Sequence, residues 1–195
     1  MNPALLVTPA SMIFDYVEKM VSAATGKNVV IFLVASLTVY FVMLFVTIPD
    51  IQSYAPGMKI FDLSPAGYSY DYSIKLLSSL GDEGRKKYLY IQLPLDLIYP
   101  ALFSISSFLL LAWLFLKRYE NDSSIFYLCF VPVIAGIFDY LENIQIVLMI
   151  LVYPEISRAQ VALSSTATIA KSGLTMIFFL LLIFGFFRCW RGSKN

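Results

Sequence analysis

Apolar residues run almost unbroken through four long stretches of the chain, and the polar positions gather between them. Spanning about 30 Å of hydrocarbon takes roughly 20 apolar residues in a helix. The segments 29–48, 91–116, 124–152 and 161–187 meet that length. The first, VVIFLVASLTVYFVMLFVTI, carries no charge and is expected to end at Pro49-Asp50. The second runs from IQLPLDLIYP to LLLAWLFL and stops at Lys117-Arg118. The third follows the connector KRYENDSS and stops at Tyr153-Pro154, and the fourth ends in FFRCWRGSKN. The pattern predicts an all-α fold, a polytopic bundle of four transmembrane helices, with residues 1–195 forming one membrane domain.

Two segments outside the spans carry their own periodicity. Thr8-Pro9 reads as an N-cap followed by a first helical position. Met12, Ile13, Tyr16, Val17, Met20 and Val21 then share one face, and Gly26 is the expected stop. This predicts an amphipathic helix over 9–25, lying in the membrane interface or packed on the bundle. It lacks the basic start, apolar core and cleavage site of a secretory signal. Residues 49–90 form the one sizeable extramembrane segment, with turns at Pro56-Gly57 and Pro65-Ala66-Gly67. In YDYSIKLLSSLG, the residues Ile74, Leu76, Leu77 and Leu80 predict a short amphipathic helix closed by Gly81. DEGRKKYLY then leads into the second span, and the whole segment is expected to make a partly helical cap.

Composition narrows the chemistry. The chain is 59% hydrophobic and 14% charged, against about 25% charged residues in soluble domains. A net charge of +1 offers no field for nucleic acid, and no Gly-rich phosphate loop is present. Histidine is absent, which removes HExxH zinc sites, Ser-His or Cys-His pairs and His-ligated haem. Cys129 and Cys189 form no CxxC pattern. No metal site and no cofactor is expected, and catalysis by side chains would fall to carboxylates, Lys171 or tyrosines.

An even number of spans puts both termini on one side. Lys19, Lys27, Lys117, Arg118, Arg188, Arg191 and Lys194 share that side with Trp113, Tyr119, Tyr127 and Trp190. Lys59, Lys75, Arg85, Lys86, Lys87 and Arg158 lie opposite. The first group sits in shorter segments, which the positive-inside rule weighs more heavily, so both termini are expected in the cytoplasm. Asn121-Asp122-Ser123 matches a glycosylation sequon but falls in a short connector, and is read as chance.

The stretch AGIFDYLENIQ places Asp139, Glu142 and Asn143 at i, i+3 and i+4, on one helix face of the third span. At 1.5 Å per residue, counted from the cap side, Glu142 and Asn143 lie roughly 15–17 Å deep and Asp139 about 21 Å. Lys171 in the fourth span lies roughly 18 Å deep and Asp96 in the second roughly 8–12 Å. Each unpaired charge at the bilayer centre costs about 2.5–3.5 kcal/mol on insertion scales, so these groups must face inward, with Lys171 meeting Asp139 and Glu142. One lysine cannot neutralise three carboxylates. Pro94 and Pro100 bracket Asp96-Leu97-Ile98-Tyr99, and each removes a backbone donor, freeing carbonyls beside Asp96. Ser164, Ser165, Thr168 and Thr175 line much of one face of the fourth span, as close packing or as the wall of a cavity. Such a cavity, open toward the cap, would expose Ser164 and Thr168. The candidate site is therefore Asp96, Tyr99, Asp139, Glu142, Asn143, Thr168 and Lys171. Arg85, at the mouth of the second span, is a candidate anion clamp in the cap or a surface partner of Asp82 or Glu83.

These residues also resemble a family pattern. LLSSLGDEGRKKYLYIQLPLDLIYP is similar to a G-x-x-G-R-x-x-Y segment leading into a D-x-x-(aromatic)-P motif. FDYLEN resembles its D-x-x-E motif, and Lys171 matches a lysine in its last helix. The resemblance, over about 70–187, is to a widespread group of small uncharacterised four-helix membrane proteins. It implies the topology and the polar positions Gly81, Gly84, Arg85, Tyr88, Asp96, Pro100, Asp139, Glu142 and Lys171, and no activity.

Three functions fit this reading. Intramembrane ionisable residues are functional-site candidates, which suggests a protein that binds, or carries, a small polar or lipid-headgroup ligand or an ion. As a carrier it would need a dimer. Buried ions can instead fix helix register, as in an accessory subunit assembled with a membrane partner. The third is an enzyme acting on a lipid or sterol-like substrate with a carboxylate and Lys171 as acid and base.

Overall fold

The computed structural model describes residues 9–120 and 123–191. Thr8, Asn121, Asp122 and Lys194, used in the readings above, lie outside the described residues. The chain is all-α, and the described residues contain no strand. In order the helices are α1 (Pro9–Ser22), α2 (Gly26–Val42), α3 (Ile48–Gln52), α4 (Tyr70–Lys87), α5 (Leu93–Phe115), α6 (Val131–Val152) and α7 (Arg158–Arg191). Four helical stretches are long and apolar enough to cross a membrane: Gly26–Gln52, Tyr70–Phe115, Ser124–Val152 and Arg158–Trp190. Their outer faces expose Val34, Phe45, Ile144, Leu151, Phe179 and Leu180, an apolar surface far beyond what water-soluble monomers show. By length and composition these four stretches suit residence in a membrane.

α1 is amphipathic and lies against one end of the bundle. Val17 and Val21 are buried with Phe108, Phe115 and Phe126, while Tyr16 and Met20 stay exposed. Gly26 does not stop it, contrary to the expectation. α1 ends at Ser22 and α2 starts at Gly26, because Thr25 caps the new helix, its hydroxyl accepting the Asn28 N–H at 3.2 Å. The Asn28 amide then donates to the Ala23 carbonyl at 2.8 Å and seals the turn.

The first span also overruns its expected end. Residues Met43–Thr47 wind as a π-helical turn, and the chain continues as α3 to Gln52. Proline lacks an N–H and its ring crowds the carbonyl four residues back. The wide turn ahead of Pro49 relieves that crowding, with Ile48 N–H bonding to Met43 O instead. The same device recurs at Tyr88–Gln92 ahead of Pro94, where Leu93 N–H bonds to Tyr88 O. Thr47 and Gln92, the last residues of the two wide turns, hydrogen-bond to each other in the interior.

Residues 49–90 fold as a cap over this end. Ser69 caps α4, accepting the Tyr72 N–H at 3.1 Å, and Gly81 breaks α4 with φ +59° and ψ −175°. The expected helix closed by Gly81 is therefore present, and a second helical stretch from Asp82 runs through the wide turn into α5. Ile60 and Phe61 pack with Leu76, Leu77 and Leu80, and this cluster continues into Ile146 and Met149 of α6. The cap shares its core with the bundle. Arg85 serves that core: it donates to the Leu77 carbonyl at 2.6 Å, pairs with Asp82, and lies 4.4 Å from the centre of the Tyr153 ring.

In the bundle α2 packs on α5, α5 on α6, and α6 on α7. Among the described residues α2 and α7 do not pack along one another. A cleft between them follows from that order.

Candidate functional site

The polar face of α6 is buried between α5 and α7. Asp139, Glu142 and Asn143 point the way their spacing requires. Lys171 of α7 is 3.1 Å from Asp139 and also pairs with Glu142. Thr168, one turn before Lys171, donates to the other Glu142 oxygen at 2.6 Å. Glu142 is 0% exposed, and these partners are what make its charge tolerable there.

On the α5 side, Pro100 explains a second contact. Its missing N–H would have bonded to the Asp96 carbonyl, four residues back. Asn143 supplies the donor instead, its side-chain amide reaching Asp96 O at 2.7 Å. Tyr140 hydroxyl donates to the neighbouring Leu97 carbonyl at 2.9 Å. The carbonyl that Pro100 frees, and the Leu97 carbonyl beside it, are thus bonded by side chains of α6.

The cleft between α2 and α7 opens onto this cluster as a cavity of about 580 Å³. Asp96, Tyr99, Asp139 and Lys171 line it, joined by Ser172 and Thr175 of α7. Its remaining wall is apolar, with Met43, Leu44, Phe103, Met176, Phe179 and Leu180. Glu142, Asn143 and Thr168 are not in that wall. They are buried behind it, with Glu142 and Thr168 joined by a hydrogen bond. Ser164 is buried as well and bonds to the Tyr68 hydroxyl at 2.6 Å, so neither Ser164 nor Thr168 faces open space. The cavity is instead walled one turn further along α7. Arg85 does not line it, and its donors are committed to the cap.

One acidic residue of the site had no place in the sequence reading. Asp62, on the single helical turn Phe61–Leu63 of the cap, lines the cavity and accepts a hydrogen bond from the Tyr88 hydroxyl. Asp96 lines the same cavity. One oxygen of each, Asp62 Oδ1 and Asp96 Oδ2, is buried without a hydrogen-bond partner. The segment IFDLSPAG reads as an ordinary loop, and only the fold of the cap turns its aspartate inward. Nearby, burial holds the Tyr68 phenol above its ordinary range, with the Ser164 hydrogen bond acting against that shift. Tyr68 is therefore a neutral phenol at physiological pH, fastening the cap to α7.

Chemically the arrangement is a polar end with excess acid and an apolar body opening between two helices. Compared with protein-family models, with curated proteins and with solved structures, the chain matches none.

Proposed function

We propose that this chain is a membrane-resident binding protein for an amphipathic small molecule. The ligand's polar head lies at the end lined by Asp62, Asp96, Asp139 and Lys171, and its apolar body lies along Met43, Phe103 and Met176. The observation that carries this reading is the cavity of about 580 Å³ with polar groups at one end and apolar side chains elsewhere, set between two helices that do not pack together. Binding pockets of about 300–1,000 Å³ with few, convergent polar groups are the usual form of small-molecule sites. Access between α2 and α7 would be from the bilayer. Both termini are proposed to be cytoplasmic, with Lys117 against Trp113 and Arg188 against Tyr119 marking that interface.

The direct test is mass spectrometry of lipids and metabolites that remain on the purified full chain. A discrete amphiphile is expected on the natural sequence and not on Thr175→Trp, which fills the cavity from α7. The same ligand profile on both proteins would refute the site.

A second reading, an ion lock fixing helix register in an accessory subunit, is favoured by the completeness of the Lys171–Glu142–Thr168 contacts. Thiol labelling separates the two after Cys129 and Cys189 are replaced. Because labelling needs water and space, cysteine at Ser172 or Thr175 is expected to react with a water-soluble reagent, and cysteine at Ser164 or Thr168 to stay silent. Silence at all of them, beside a reactive control in the cap, would leave only the lock.

A further inference from the structure

The polar end of the cleft holds more acid than base. Lys171 stands alone against Asp62, Asp96, Asp139 and Glu142, and it is committed to Asp139 and Glu142. Asp96 is 3% exposed, and its Oδ2 has no hydrogen-bond partner. Asn143 satisfies the Asp96 main-chain carbonyl and leaves its carboxyl untouched. Asp62 Oδ1, on the cap side of the same cavity, is in the same condition. An unpartnered buried carboxyl oxygen costs the full desolvation of that group. Two of them lining one cavity call for a donor that both can accept from.

We infer that the head group recognised here is a protonated amine, held between Asp62 of the cap and Asp96 of α5, so that the ligand is a long-chain amine. The inference rests on the amphiphile-binding reading above and names its ligand class. An ammonium offers three donors and no acceptor, which matches a site whose open positions are acceptors. Tyr40 and Tyr99, with ring centres 5.7 Å apart, line the same cavity, and aromatic rings favour a cation beside them. A metal ion is a poor fit, since among the described residues no three acidic or thiol groups come together to hold one. A carboxylate or phosphate head would meet Lys171 only by displacing Asp139 or Glu142, and would face Asp96 at once. The cavity's apolar wall takes the chain of the amine.

Three probes with the same tail and different heads test this: dodecylamine, 1-dodecanol and dodecanoate. Each is titrated against the detergent-purified full chain at pH 8, where the amine is charged, with thermal unfolding as the readout. Dodecylamine is expected to stabilise the protein at concentrations at least tenfold below those of 1-dodecanol, with no stabilisation by dodecanoate. Asp96→Asn and, separately, Asp62→Asn are each expected to weaken the amine effect tenfold or more and to leave the alcohol unchanged. Asp62→Asn, in the cap, serves where Asp96→Asn fails to fold. Equal effects of amine and alcohol would mean that the two carboxyls share a proton and need no cation. That result overturns the amine while leaving the cleft as an amphiphile site. No saturable effect from any probe, or effects retained in Thr175→Trp, would overturn both.

Discussion

Lys171→Met is expected to destabilise the protein by about 3–5 kcal/mol, the cost of leaving a buried ion pair without one partner. The methionine keeps the volume and removes the cation that pairs with Asp139 and Glu142. The two carboxylates then stand one turn apart on α6 with nothing to separate their charges. Glu142 suffers more, being fully enclosed, whereas Asp139 borders the cavity. Lys171→Met combined with Glu142→Gln should therefore recover more stability than Lys171→Met combined with Asp139→Asn. Thermal unfolding of the three proteins in one detergent measures the difference. Equal recovery would show that the charge burden is not concentrated on Glu142, and no recovery in either would mean that Lys171 acts through packing alone.

The second large effect is expected at Gly136, on the face of α6 that packs against Pro100 and Ser104 of α5. A Cβ at this position would sit 3.1 Å from the Pro100 carbonyl oxygen and collide with Ser104 Oγ. A serine can rotate away. A main-chain carbonyl in the middle of a helix cannot. Overpacking of this kind costs about 1–3 kcal/mol, and Gly136→Val should reach the upper part of that range because its branched side chain leaves no free rotamer. The shift would be felt one turn and two turns on, where Asn143 must still reach Asp96 O at 2.7 Å. Gly136→Ala is expected to be milder and to be partly rescued by Ser104→Gly. If Gly136→Val unfolds at the same temperature as the natural protein, the close approach of α5 and α6 is wrong.

The bundle was legible because hydrocarbon thickness fixes helix length, so long apolar runs can hardly be anything else. Lys171, Asp139 and Glu142 were legible for a related reason: charges at that depth must find each other. Even the carbonyl freed beside Asp96 followed from Pro100, since the proline's missing donor lies at a fixed offset. Helix ends were less so. Gly26 and Pro49 are breakers on average, yet Thr25 restarts a helix beside one and a wide turn carries the chain past the other. Thr168 shows a further limit: it is buried against Glu142 while Ser172, one turn on, lines the cavity, and helical spacing does not say which turn is hollow. Asp62 lay beyond reach. Its inward direction depends on Phe61 being drawn into the core between the cap and α6, a long-range contact that no local pattern records.

Each wide turn holds one residue more than even winding would need. Rewinding Met43–Thr47 as plain α-helix with its residue count unchanged would turn everything after it by about 100°. Pro49 and the start of the cap would rotate with it, and the loop that delivers Asp62 would be delivered elsewhere. The cap's contribution to the proposed head-group site thus hangs on how one turn of the first span winds, and a change of winding there would erase the site without touching one of its carboxylates.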